Sequence, residues 1–355
     1  MSLTVLNVSF PLAPVSAGTA GGAEQVLGML DAALVRAGHR SLVIAPEGSH
    51  CAGLLVPIRA IGSSLDEQAK HDAEKEVRAA LDRVLRRFAV DVVHLHGLDF
   101  LNYLPAPGVP VVVTLHLPPE WYPGEAFQIA RPHTYLVCVS PSQFRNCPPQ
   151  TEICEVIENG VSLRDFHPGK KKAKYILGLG RICPEKAFDV SMDAANHAGF
   201  PFWLAGTVFG YETHREYFEK LIKPRLVKGN RFLGSVGGRR KRALLAGAKC
   251  LLISSRAPET SSLAAMEALA CGTPVVAFRT GALGDIVEHG RTGFLVNDKE
   301  EMVSAIRCID DIDPKGCRRA AELRFSAEVT SQKYLNLYSG VAELHPSNVL
   351  AGNTR

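Results

Sequence analysis

Short runs rich in Val, Ile and Leu recur along this chain, with helix-length stretches between them. In the first half the runs fall at 3–10, 41–45, 91–96, 109–116, 135–139 and 155–157. In the second half they fall at 174–180, 201–205, 231–233, 250–255, 274–278 and 293–296. Helical spacing of apolar residues marks 22–37, 66–88, 184–197, 214–222, 239–246 and 262–270. The runs lack strict apolar–polar alternation, so both faces of each strand are expected to be covered, as in parallel sheets. Strand–helix alternation through the whole chain predicts the α/β class, built from Rossmann-like doubly wound units.

A length of 355 residues suits two such domains. The break is expected at "DFHPGKKKAKY", 165–175, where Pro, Gly and four lysines precede a new strand. This gives an N-terminal domain of 1–168 and a C-terminal one of 169–325. Open α/β sheets bind ligands at the carboxyl ends of their strands, so two domains facing each other would bind across a cleft. After about residue 298 the chain reads as mainly helical. The segment 326–355 is read as a helix packing back toward the N-terminal domain, with a tail from 345 that has no apolar pattern.

Composition removes several classes of function. A formal net charge of +4 gives no basic surplus for nucleic acid. No apolar run approaches the roughly 18–20 residues a membrane span needs. The start, "MSLTVLNVSFPL", lacks a basic leader region and reads as a first strand. Nine scattered cysteines without a CxxC pair read as reduced thiols of a cytoplasmic protein, not a disulfide framework or a zinc site.

The segment "APETSSLAAMEALACGTPVVAF", 257–278, carries two carboxylates, Glu259 and Glu267, on either side of a run of small and hydroxylated residues. It follows the strand-like "CLLISS" and reads as loop, helix, strand. Ser261 or Ser262 is placed to cap the helix, a hydroxyl accepting from a first-turn N–H. A helix N-terminus attracts anions, and ionised carboxylates accept hydrogen bonds from sugar hydroxyls. A ligand with phosphate in the middle and sugars at both ends would use all three features. The plainer reading makes Glu259 a solvated loop residue and Glu267 a surface helix residue.

Other stretches repeat the pattern. "AGTAGGAEQVL", 17–27, follows the first strand, and Gly21 and Gly22 would allow positive φ or close backbone approach before a helix. In "ILGLGRICPEKAFDV", 176–190, a strand ends and Arg181 and Lys186 follow on the loop. Two such cations suit a diphosphate, Arg by its planar fork and Lys as a point charge, or are solvated surface charges. His94, His96 and His116 stand at strand ends, suited either to a sugar or to a satisfied core position.

Together these motifs are more specific than any one of them, and the chain resembles the retaining GT-B-fold glycosyltransferases of family 4, also called glycosyl transferases group 1. The resemblance rests on "GGAEQ", "DVVHLHG", "VVVTLH", "VIENGVSLRDFHP", "GLGRICPEKAFDV", "RFLGSV", the paired-glutamate segment and "GRTGFLV". It implies Glu259 on the transferred sugar and Glu267 on the nucleotide ribose. It places the amides of Thr260, Ser261, Ser262 and Leu263 near phosphate and sugar. Arg181 and Lys186 match the diphosphate pair, and the Gly21–Gly22 loop faces the same phosphates. His116 matches the histidine near the reacting sugar, and Val236 lies in the stretch that touches the base. The sequence departs from the pattern in three places: Thr260-Ser261-Ser262 replaces Pro-Phe-Gly or Gly-Phe-Gly, Ala187 replaces the usual Gly, and Asp285 stands where Glu is common. They leave the donor sugar open.

The resemblance further implies transfer with retention of configuration and without a metal, the donor being a UDP-, GDP- or ADP-sugar and no separate cofactor being needed. The single Asp-x-Asp, Asp311-Ile312-Asp313, lies far from the phosphate motifs. His116 would orient the sugar and not act as general base. The acceptor would be a sugar, a lipid-linked molecule or a small molecule, and no motif of the sequence specifies it. Two basic stretches, "GKKKAK" (169–174) and "GRRKR" (238–242), would suit an anionic membrane at its inner face, or are simply solvated. A nucleotide-sugar epimerase or a phosphorylase of similar fold, or a non-catalytic sugar-nucleotide-binding protein, are the alternatives.

Overall fold

A computed structural model describes residues 2–11, 14–16, 21–59, 67–169, 171–227 and 229–345. The apolar runs become the strands of two sheets, both parallel throughout. The chain divides into two compact units. One holds the residues up to 139, 143–157 and 330 onward; the other holds 140–142 and 158–329.

The first unit contains β1 (Thr4–Val8), β2 (Arg40–Pro46), β3 (Leu54–Ile58), β4 (Val92–Leu95), β5 (Val111–Leu115), β6 (Thr134–Cys138) and β7 (Ile153–Val156). Their order is β3-β2-β1-β4-β5-β6-β7. Its helices α1 (Gly22–Arg36) and α2 (Glu67–Arg87) cover opposite faces, and a short α3 (Pro141–Arg145) follows β6. Successive strand residues serve different cores: Leu6, Val93 and Val113 pack with Val77, Leu81 and Val84 of α2, whereas Val5, Val92 and Val112 pack with Val26 and Leu30 of α1. That is why these strands read as continuous apolar runs.

The second unit contains β8 (Ile176–Leu179), α4 (Phe188–His197), β9 (Phe202–Ala205), α5 (Glu212–Tyr217), β10 (Arg231–Phe232), α6 (Gly238–Gly247), β11 (Leu251–Ile253) and α7 (Leu263–Ala270). It continues with β12 (Val275–Phe278), α8 (Leu283–Ile286), β13 (Gly293–Val296), α9 (Lys299–Arg307) and α10 (Pro314–Arg324). Its strand order, β10-β9-β8-β11-β12-β13, repeats that of the first sheet. The last helix, α11 (Ala327–Leu344), buries Tyr334 and Tyr338 in the core of the first unit.

Several local expectations change. The stretch 165–175 is not the boundary, because 158–168 is bonded into the second unit. Val161 N donates to Phe325 O (2.8 Å), and Arg318 donates to Phe166 O (2.6 Å) and Leu163 O (3.3 Å). The helix expected over 184–197 is interrupted by a 3-10 turn, Pro184–Lys186, and by Ala187 in the left-handed region (φ 47°, ψ 42°). The helix expected over 214–222 starts earlier, as α5, and continues as a π-helical turn, Phe218–Ile222. Residues 17–20, 66, 170 and 346–355 of the segments read above lie outside the described residues. No helix among the described residues is long and apolar enough to cross a membrane.

Candidate functional site

In the second sheet, β8 and β11 lie side by side and the chain runs outward from them in both directions, the switch point at which open α/β sheets bind ligands. The loops leaving these two strands carry the charged residues singled out above. After β8, Arg181 is exposed and makes no ion pair among the described residues. Lys186 closes the 3-10 turn, its N–H donating to Cys183 O (3.1 Å). Ala187, fully buried, then adopts the left-handed backbone that the usual glycine would take without strain. Two buried hydroxyls hold this turn. Ser254, just past β11, lies 2.7 Å from Ala187 O and 3.1 Å from Lys186 O, and Ser191 lies 2.7 Å from Ser254.

The two loops also meet through side chains. Lys186 Nζ pairs with Glu259 Oε1, and the Ser255 hydroxyl donates to the same oxygen. The pair is mostly shielded, with side-chain exposures of 24% and 12%. Arg256 N donates to Glu185 O at 2.8 Å, a second tie between the loops. The Glu259 carbonyl accepts from Ala282 N at 2.7 Å. Gly281 (φ 51°) sits so close that a Cβ there would lie 2.3 Å from Glu259 O, so only glycine fits this turn. Glu259 is therefore a positioned group and not a solvated loop residue.

Glu267 is not on the surface either. It lies inside α7, 3% exposed, and Oε1 pairs with Lys241 Nζ of α6 at 2.5 Å. Its other oxygen, Oε2, is buried without a hydrogen-bond partner. Burial raises the Glu267 pKa, against the pull of Lys241. Ser262 occupies the N-cap position of α7, but the expected capping bond is absent. The first helical bond is Met266 N to Ser262 O (3.1 Å), so the amides of Leu263, Ala264 and Ala265 have no acceptor within the helix. The Ser261 hydroxyl is buried without a partner, and Thr260 is half-buried. Val236 is half-buried on the loop from β10 to α6, just ahead of Lys241.

The remaining predicted residues belong to the first unit. His116 follows β5, and its Nε2 lies 3.0 Å from His96 Nδ1 with the rings stacked. Burial lowers the His116 pKa to about 4 and holds His94 and His96 well below the usual range, so all three are neutral at neutral pH. His94 is a satisfied core residue, 2.7 Å from both Tyr338 OH and Thr114 Oγ1. Gly21 does not use positive φ. It is the extended N-cap of α1 (φ −82°), and a Cβ on it would lie 1.8 Å from Glu24 Oε2. Gly22 is the first residue of that helix.

Sequence reasoning missed Lys241, Ser254, Ser255 and Gly281. Lys241 stood inside a basic run, where its pairing with a carboxylate 26 residues away leaves no local trace. The serines and the glycine act through contacts between loops that only the folded sheet creates.

Two family models match this chain, Glycosyltransferase Family 4 over residues 20–165 and Glycosyl transferases group 1 over 173–310. The glycogen synthase of Mycobacterium tuberculosis (strain CDC 1551 / Oshkosh) is 27% identical over 307 residues, covering 74% of this chain and 72% of the relative. AviGT4, a glycosyltransferase involved in avilamycin A biosynthesis, has a similar structure, with a TM-score of 0.72 at 23% identity over 96% of this chain and 98% of its own. So does Anabaena Alr3699/HepE, solved in complex with UDP-glucose, with a TM-score of 0.72 at 19% identity over 95% and 100%. At these identities the structural likeness establishes the GT-B fold, and the family models, each on its own half, establish more: the chain belongs to the family 4 glycosyltransferases of GT-B type.

Proposed function

We propose that this transferase moves a sugar from a nucleotide-diphosphate donor to an acceptor hydroxyl, with retention of configuration and without a metal. The observation that carries this reading is the Lys186–Glu259 pair standing beside α7 while Glu267 keeps one buried, unpaired oxygen. The Lys186 ammonium has three donors and gives one to Glu259. Its other donors, the Arg181 fork and the first-turn amides of α7 would hold the diphosphate as charge develops on it. Glu259 would accept from hydroxyls of the transferred sugar, and Glu267 Oε2 from a ribose hydroxyl. The acceptor hydroxyl would attack the anomeric carbon on the face the diphosphate leaves, its proton passing to a donor phosphate oxygen. A neutral His116 can hydrogen-bond a hydroxyl, and a pKa of about 4 makes it a poor base at neutral pH. For a lipid-linked acceptor at a membrane surface, the basic stretches offer fewer cations than their sequence suggests. Lys172 and Lys241 bond inward and Arg242 pairs with Asp165, leaving Lys171, Lys174, Arg239 and Arg240 exposed among the described residues.

Glu259→Gln is expected to leave the affinity for free nucleotide diphosphate nearly unchanged, while turnover falls by about an order of magnitude or more through lost alignment of the sugar. Glu267→Gln is expected to weaken free nucleotide and full donor alike, by roughly 1–3 kcal/mol. Calorimetry and turnover on both variants check this, with thermal melts to exclude unfolding. The opposite pattern would exchange the two roles, and no change in either variant would remove the reading. Transfer is also expected to persist in EDTA. Loss that Mn²⁺ or Mg²⁺ restores would overturn the metal-free route.

A further inference from the structure

One cluster beside this site has no part in the proposed transfer. Cys183, Glu185 and His214 each offer a ligand atom, and the three atoms lie within 4.8 Å of one another. Cys183 and Glu185 are on the turn between β8 and α4, and His214 is on α5. Cys183 is 1% exposed and extended (φ −151°, ψ 160°), with Pro184 fixing the backbone that follows. His214 is 8% exposed and meets the rings of Tyr211 and Phe209 edge-on, with ring centroids 5.0 and 6.4 Å away. Its Nδ1 is buried without a hydrogen-bond partner. A buried ring nitrogen left unpaired has a cost that a ligand would relieve.

We propose that Cys183, Glu185 and His214 form a binding site for a borderline-soft divalent cation of the zinc type, with a fourth coordination position left to solvent or a small ligand. Thiolate, imidazole and carboxylate together select such a cation over Mg²⁺ or Ca²⁺, which take oxygen ligands. Tetrahedral coordination, with bonds of about 2.0–2.3 Å, sets ligand atoms roughly 3.5 Å apart, so the cluster needs only a small contraction. The three ligands span 32 positions with no CxxC spacing, which is why the sequence reads as lacking a zinc site. The site is separate from the transfer chemistry, but its turn also carries Arg181 and Lys186.

The test uses the full chain, stripped of metal and titrated with Co²⁺ and then Zn²⁺. One equivalent of Co²⁺ is expected to produce a thiolate-to-cobalt charge-transfer band that Zn²⁺ displaces. Cys183→Ser is expected to abolish the band, and His214→Ala to weaken Co²⁺ binding by at least about tenfold. Glu185→Gln, a change at an exposed side chain that leaves the core intact, is expected to weaken it as well. Absence of the band in the native chain would overturn the site. So would a band that survives Cys183→Ser, placing the metal on exposed Cys154 or Cys308, or an unchanged Co²⁺ affinity in both His214→Ala and Glu185→Gln.

Discussion

Lys186→Ala is expected to lower turnover by about two to three orders of magnitude, the loss typical of removing one preorganised donor from developing negative charge. Nucleotide diphosphate affinity should fall with it, by roughly 1.5–3 kcal/mol, the range for a charge-assisted hydrogen bond. The structure adds a second effect: without the ammonium, Glu259 keeps only the Ser255 hydroxyl on its Oε1. The variant should therefore resemble Glu259→Gln in turnover and differ from it in binding the free nucleotide. Steady-state kinetics and calorimetry decide this. Turnover within a few fold of the unmodified chain would take Lys186 away from the phosphates.

The largest expected effect on stability belongs to Lys241→Met. Removing one partner of a buried ion pair costs about 3–5 kcal/mol, because the remaining charge has no counterion. The size should depend on pH. Burial already raises the Glu267 pKa above its usual 4.5 in the folded state. Between 4.5 and the raised value the folded chain binds more protons than the unfolded one, so this group's contribution to stability falls as pH rises through that window. Loss of Lys241 removes the cation that holds the pKa down, and the window extends upward. Relative to the unmodified chain, Lys241→Met should therefore be less destabilised at pH near 5 than near 8, as measured by urea unfolding at both. An equal loss at both values would mean that Glu267 is not charged beside Lys241.

Much of this could be read before folding. Strands covered on both faces show themselves as runs of β-branched and aliphatic residues, and all but one of the first sheet's strands were visible in this way. The exception, β3, is "LLVPI", half-exposed at the sheet edge and interrupted by Pro57, which only an edge strand tolerates. Arg181, Lys186 and Glu259 could be singled out because each stands on a loop at a strand's carboxyl end, and Glu267 because it sits inside the helix that follows, across a run of small residues from Glu259. What joins them was not legible: Lys186 finds Glu259 across 73 positions, and Lys241 finds Glu267 across 26. The run "GRRKR" looked like one solvated patch because a sequence does not show which way a helix turns its cations. On α6, Lys241 faces inward to Glu267 while Arg239 and Arg240 stay in solvent.

The left-handed Ala187 has a consequence for timing. A glycine there could sample both sides of the φ map, and the turn would hop among backbone states before a ligand arrived. Alanine forbids most of those states and pays about 1–2 kcal/mol of local strain for the one it adopts. Ser254, bonded to the Ala187 carbonyl and itself held by Ser191, leaves that state little freedom to relax. The adjacent Lys186 is thus aimed in advance, and the entropy of ordering the turn is spent during folding and not at each encounter. Nucleotide capture through this turn should be a single-step event set by diffusion and charge, with no slow phase in which the loop searches for its bound shape.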